Sequence, residues 1–129
     1  MPLMFVMVGG ALGSAARYLT GRAALTAFGP AFPFGTLAVN LVGGLLMGVL
    51  TAILARAGGL AEPWRLFLGI GVLGGFTTFS SFSLDVVTMI ERGAVVPALG
   101  YVLVSVIGSV TALFAGLAAT RALLAGASA

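Results

Sequence analysis

The sequence contains no cysteine, no histidine and no lysine. Without cysteine there is no disulfide framework and no thiolate nucleophile, and without histidine there is no imidazole ligand or base. Acids are almost as scarce: Glu62, Asp85 and Glu91 are the only three, against six arginines. Charged residues make up 7% of the 129-residue chain, where a soluble domain carries about 25%. The net charge of +3 is too small and too scattered to mark a nucleic-acid partner. No nucleophile, base and acid converge, which argues against an enzyme. Apolar residues take the space that charge leaves, at 60% of the chain with a mean hydropathy of +1.23. The composition is that of an integral membrane protein.

A membrane-spanning helix needs about 20 mostly apolar residues. Four stretches qualify, at about residues 3–28, 34–55, 64–90 and 95–124, giving a single four-helix, all-α transmembrane domain over residues 1–129. "GPAFP" (29–33), "RAGGLAEP" (56–63) and "ERGA" (91–94) supply the turns. The start "MPLMFVMVGG" lacks a basic leader, so it is read as the first span and not as a cleaved signal peptide. The tail "AGASA" (125–129) is expected to fray. Small residues recur every four positions at Gly9 and Gly13, at Gly44 and Gly48, and at Gly108, Ala112 and Gly116. Such faces let helix backbones approach closely in lipid.

Four spans put both termini on one side, together with the connection between the second and third. That side holds Arg56, Arg65 and Arg121, and the other holds Arg17, Arg22 and Arg92. Orientation normally follows an excess of basic residues in short loops, and here neither side has one. The balance predicts insertion both ways up, and hence an antiparallel, dual-topology homodimer.

Polar groups inside a bilayer are expensive and mark candidate sites. Asn40 lies within the second span, as pore lining or as a hydrogen-bond partner for a neighbouring helix. Tyr101, Ser105 and Ser109 follow at four-residue spacing and form one polar stripe on the fourth. Arg17 falls only about 21 Å along the first helix from Leu3, so it either snorkels to the interface or lines an aqueous vestibule. The third span contains "GGFTTFSSFSLD" (74–85). Gly74-Gly75 predicts a break at mid-membrane, tolerated only where backbone is buried in protein or lines a cavity. Carbonyls freed by a break suit a hard cation such as Na⁺. Beyond it, Phe79 and Phe82 offer electropositive ring edges. Thr78, Ser80 and Ser81 offer hydroxyl donors for an anion. Residue chemistry alone reaches a small-ion channel with a structural cation.

That motif, with "GGALGSAARY" (9–18) and "GTLAVNLVGG" (35–44), closely resembles the bacterial fluoride channels of the Fluc, or CrcB-like, family. The resemblance covers all four spans. It implies a multi-pass protein of the bacterial inner (plasma) membrane whose antiparallel homodimer encloses two fluoride pores around one central Na⁺. By motif, the Na⁺ falls on the Gly74 and Thr77 carbonyls and the pore phenylalanines on Phe79 and Phe82. The second-helix asparagine falls on Asn40, the first-helix arginine on Arg17, and the fourth-helix polar track on Ser109. Where some members carry a further hydroxyl one turn later, this chain has Leu113. The implied function is passive, highly selective export of fluoride, protecting the cell from its toxicity. A proton-coupled multidrug exporter is disfavoured because the first two spans hold no acid. A mere scaffold subunit would not need Asn40, the hydroxyl stripe and the Gly-Gly pair together.

Overall fold

The structure, a computed structural model, describes residues 2–128, so the final residue of the tail expected to fray, Ala129, lies outside the described residues. Among the described residues, four helical spans are long and apolar enough to cross a membrane. Helix α1 is Pro2–Phe28 and α2 is Phe34–Leu54. A 3₁₀ turn at Gly58–Leu60 leads into the third span, which is composite. It begins as α3 (Ala61–Trp64), widens to a π-helical segment at Arg65–Leu73, returns to α-helix as α4 (Gly74–Phe76), and resumes as α5 (Ser80–Glu91). Helix α6 is Val95–Ser128. The third span therefore starts before Trp64. Pro63 sits in its first turn, where a missing N–H removes no helical bond. The tail, expected to fray from residue 125, stays helical through Ser128, as its alanines favour.

The turns have a plain cause. Gly29 and Gly93 adopt φ of +78° and +83° just past α1 and α5. Only glycine takes this left-handed geometry without strain, and it closes a helix by returning its last amides to free carbonyls. Each short turn sends the next span back across the bundle.

Close backbone contact decides which helices are neighbours. Helix α2 runs parallel to α6, with Gly44 against the Ser109 backbone, Gly48 against Leu113 and Gly116 against Leu45 and Val49. Helix α1 lies on the first half of the third span, where Gly9 faces Phe67 and Gly71, and Gly13 faces Val72 and Phe76. The second half, α5, packs instead on α6. Its Phe82 and Met89 join Ala98 and Tyr101 in the buried core, closed over by Phe32 and Leu37. The third span thus changes partners midway, from α1 to α6. The change happens between Phe76 and Ser80, where residues 77–79 are not helical.

The glycine contacts predict a sharp difference between positions. A Cβ at Gly13 would come within 2.9 Å of the Phe76 amide nitrogen. Gly13→Val should destabilise the protein by about 1–3 kcal/mol or more, seen as a lower thermal midpoint in detergent. A Cβ at Gly100 meets nothing within 4 Å. Gly100→Ala should hold or raise the midpoint, since alanine is the better helix former by about 1 kcal/mol. Equal responses from the two variants would contradict the packing account.

Candidate functional site

The interruption of the third span lies at Thr77–Phe79, two residues beyond the glycine pair that the sequence pointed to. Gly74 keeps helical angles (φ −64°, ψ −37°), whereas Thr77 turns extended (φ −80°, ψ 156°). Glycine weakens a helix by only about 1 kcal/mol, too little to break one that is packed on α1. The glycines serve that packing: a Cβ on Gly75 would come within 2.7 Å of the Gly10 carbonyl.

The chain leaves the helix because another helix draws its backbone away. Asn40, on α2, accepts from the Thr78 N–H through Oδ1 at 2.9 Å and donates to the Thr78 carbonyl through Nδ2 at 3.1 Å. In a continuous helix the Thr78 amide would close on the Gly74 carbonyl. Thr78 diverts a second amide, because its Oγ1 accepts from the Ser81 N–H at 3.2 Å. That amide would otherwise close on the Thr77 carbonyl. Three neighbouring carbonyls are compensated. The Leu73 carbonyl accepts from both the amide and the hydroxyl of Thr77, at 3.0 and 2.9 Å. The Gly75 carbonyl accepts from Arg17 Nε at 3.2 Å, and the Phe79 carbonyl from the Ser83 amide and hydroxyl, both at 2.9 Å. Gly74 and Thr77 are the two carbonyls whose helical donors have been redirected elsewhere.

A cavity of about 370 Å³ opens beside the break, between α2, α5 and α6. Its lining includes Asn40, Thr77, Thr78, Phe79, Phe82, Ser105 and Ser109. No charged residue lines it. The Ser105 hydroxyl is buried and has no hydrogen-bond partner among the described residues. Asn40 uses one of its two amide hydrogens on Thr78, which leaves the other as a donor. Phe79 is 77% exposed and Phe82 8%, with ring centroids 5.6 Å apart and planes tilted by 47°. The apolar part of the wall is Met47, Val106, Val110 and Leu113. Within the cavity the hydroxyl track therefore stops at Ser109.

Tyr101 departs from the expected stripe. It is fully buried, lies outside the cavity lining, and donates its hydroxyl to Asp85 Oδ2 at 3.0 Å. Its ring packs on Phe82 at 5.1 Å with the planes tilted by 50°, and meets Phe32 edge-on at 5.4 Å. A large ring with a polar tip is held at both ends, so Tyr101 braces Phe82 from behind. Ser80 is exposed, near the Thr78 hydroxyl at 3.4 Å, and lines neither cavity. Ser81 lines a second cavity of about 250 Å³ with Arg17, Tyr18, Arg22 and Thr36. Thr78 belongs to both cavities and forms the wall between them.

Two functional contacts were not visible in the sequence reading. Gly43 admits the Thr77 methyl group, against which any Cβ would collide. Its only trace in the sequence is a second glycine beside Gly44. Asp85 secures Tyr101, and the trace there was its being the lone acid well inside a span.

The Asn40 bridge makes a direct prediction. Asn40→Ala removes the partner of both the N–H and the carbonyl of part-buried Thr78, and each group left unpaired costs about 1–3 kcal/mol. The thermal midpoint should fall well below that of the unmodified protein. Asn40→Ala unfolding at an unchanged midpoint would show that the bridge does not hold the break.

Comparison with known proteins gives one consistent result. Residues 4–117 match the family model described as CrcB-like protein, camphor resistance. A relative from Mesorhizobium japonicum, named fluoride-specific ion channel FluC, is 54% identical over 94% of this chain and 97% of its own length. Relatives with the same name from a Caulobacter species and from Agrobacterium fabrum are 58% and 52% identical, each over 92% of this chain, and over 94% and 95% of their own lengths. The chain belongs to the CrcB-like family: it is a multi-pass bacterial membrane protein and not an enzyme.

Proposed function

We propose that this protein is a fluoride-selective channel that lets fluoride leave the cell passively, working as an antiparallel homodimer with two pores. The observation that carries the reading is the uncharged, donor-lined cavity at the break in the third span. Fluoride is small and strongly hydrated, and leaving water requires replacement hydrogen bonds. The hydroxyls of Thr78, Ser105 and Ser109 and the spare Asn40 hydrogen can supply them. Ring edges of Phe79 and Phe82 add a weaker positive field. A fixed charge there would trap the ion, whereas several weak sites let it enter and leave. Arg17 and Arg22 stand in the neighbouring cavity, reached past Thr78. There positive charge concentrates anions without holding them in the narrow part. The relatives named as fluoride-specific channels support fluoride as the anion.

The dimer is supported by what one chain leaves uncovered. No more than 22% of the most apolar part of any span is buried within the chain, and Phe79 is largely exposed although it borders the cavity. A second copy would cover it and close the pathway. Three arginines lie on each side of the four spans, which supports insertion in both orientations.

The Gly74 and Thr77 carbonyls are the proposed ligands of a structural Na⁺ at the dimer centre. Their chemistry fits a hard monovalent cation: neutral oxygens whose amide donors are engaged elsewhere. No cluster of three acidic or other metal-ligating side chains exists among the described residues. When bound, the ion would supply charge that draws the carbonyls of both copies together.

Liposomes loaded with fluoride and carrying the purified dimer should release it rapidly, followed with a fluoride electrode, and should retain chloride. Absence of fluoride release from dimeric protein would overturn the channel reading. Phe79→Ile should reduce flux by about fivefold with little change in stability, since a ring-edge contact of about 1 kcal/mol lost at the barrier is worth about that factor. Phe82→Ile should lower flux and stability together, because Phe82 is packed on Tyr101. Normal flux in both variants would remove the ring-edge mechanism. A single cysteine added to either terminus of this cysteine-free chain should label from both faces of intact cells. Labelling from one face alone would refute dual topology.

A further inference from the structure

We propose that Arg17 is a positioning residue for the candidate cation site, where it withholds the Gly75 carbonyl and excludes divalent ions. The inference rests on the reading of Gly74 and Thr77 as cation ligands. Gly9, Gly13 and Arg17 recur at four-residue intervals and share one face of α1. The two glycines bring the α1 backbone against Phe67, Gly71, Val72 and Phe76. That contact carries Arg17 to the end of the first half of the third span, where helical N–H donors run out.

There Arg17 Nε donates to the Gly75 carbonyl at 3.2 Å. Gly75 follows Gly74 directly, and its carbonyl belongs to the same set of helix-end acceptors left without intrahelical partners. Were it open, it would be as available to a cation as the Gly74 oxygen. Arg17 covers it and leaves a permanent positive charge one residue from the proposed ligand, because guanidinium does not lose its proton in proteins. Arg17 forms no ion pair among the described residues; the Asp85 carboxylate is held at α6 by the Tyr101 hydroxyl. Glu62 is paired with Arg65 at 2.8 Å.

Two consequences follow from Coulomb's law. The site binds a monovalent cation more weakly than its oxygens alone would allow. A divalent cation feels twice the repulsion, so Arg17 favours Na⁺ over Ca²⁺ although both prefer oxygen ligands. A steering role in the second cavity does not require this, since steering needs only the charge and not the bond to Gly75.

The test is thermal unfolding of the detergent-purified dimer, titrated with NaCl or CaCl₂ against N-methylglucamine chloride at constant ionic strength. The unmodified protein should be stabilised by sodium and indifferent to millimolar calcium. In Arg17→Gln the half-effective sodium concentration should fall by about tenfold, and millimolar calcium should now stabilise. Arg17→Lys keeps the charge and should still exclude calcium, which holds the test open if the glutamine variant fails to fold. An unshifted sodium midpoint in Arg17→Gln, or a calcium response in Arg17→Lys, overturns the proposal while leaving the cation site standing. An unmodified dimer indifferent to sodium overturns the cation site and this proposal together.

Discussion

The bridge from Asn40 to both main-chain groups of Thr78 is the contact on which the rest of the site depends. A helix interrupted away from water would strand several amides and carbonyls, each at a cost of kilocalories. Here several of those groups are supplied with partners. Asn40 takes the Thr78 N–H and carbonyl, Arg17 takes the Gly75 carbonyl, and the Thr78 hydroxyl takes the Ser81 amide. The carbonyls of Gly74 and Thr77 are the ones whose helical donors those partners have taken.

Placement of those partners comes from glycine. Gly9 and Gly13 seat α1 so closely on the third span that Arg17, one turn on, reaches Gly75. Gly43, on α2, lets Thr77 in beside it, and Asn40 lies one turn earlier on the same helix. Gly44, Gly48 and Gly116 lock α2 to α6, fixing the distance between Asn40 and the Ser105–Ser109 hydroxyls. Lipid gives helices no hydrophobic reason to associate, so backbone proximity has to supply the registry. The same residues that hold the bundle together therefore set the geometry of the site.

Much of this was legible in the sequence, for reasons that differ between residues. The spans could be read because apolar length is a local property. Gly9, Gly13, Gly44 and Gly48 could be read as packing faces because their spacing is helical. Asn40, Ser105, Ser109, Thr78, Phe79 and Phe82 could be singled out because polar or aromatic groups stood at spacings or beside a motif that plain lipid contact does not explain. The position of the break could not be read, because it is decided by an amide on another helix, 38 residues away. Gly74-Gly75 drew attention as helix breakers, yet their missing side chains serve contact with α1. Tyr101 kept the spacing of the stripe and lost the role, since Asp85 captures its hydroxyl and Phe82 its ring. The π-helical stretch before the break left no pattern in a sequence whose apolar residues run almost unbroken.

An interrupted helix presents two unlike ends, and this arrangement allows one span to serve opposite charges. The half that finishes at Phe76 ends in carbonyls, the negative end of its dipole, and suits a cation. The half that begins at Ser80 starts with amides, its positive end, and α5 meets the cavity there through Phe82. The proposed anion path would meet the favourable end of α5 with no charged side chain in the cavity lining itself. Were the helix continuous, Gly74 and Thr77 would close on Thr78 and Ser81, and both ends would vanish together. By removing amides from those carbonyls, Asn40 and Thr78 free the proposed cation ligands and open the start of α5 in one step. Neither half of the site can be lost without disturbing the other.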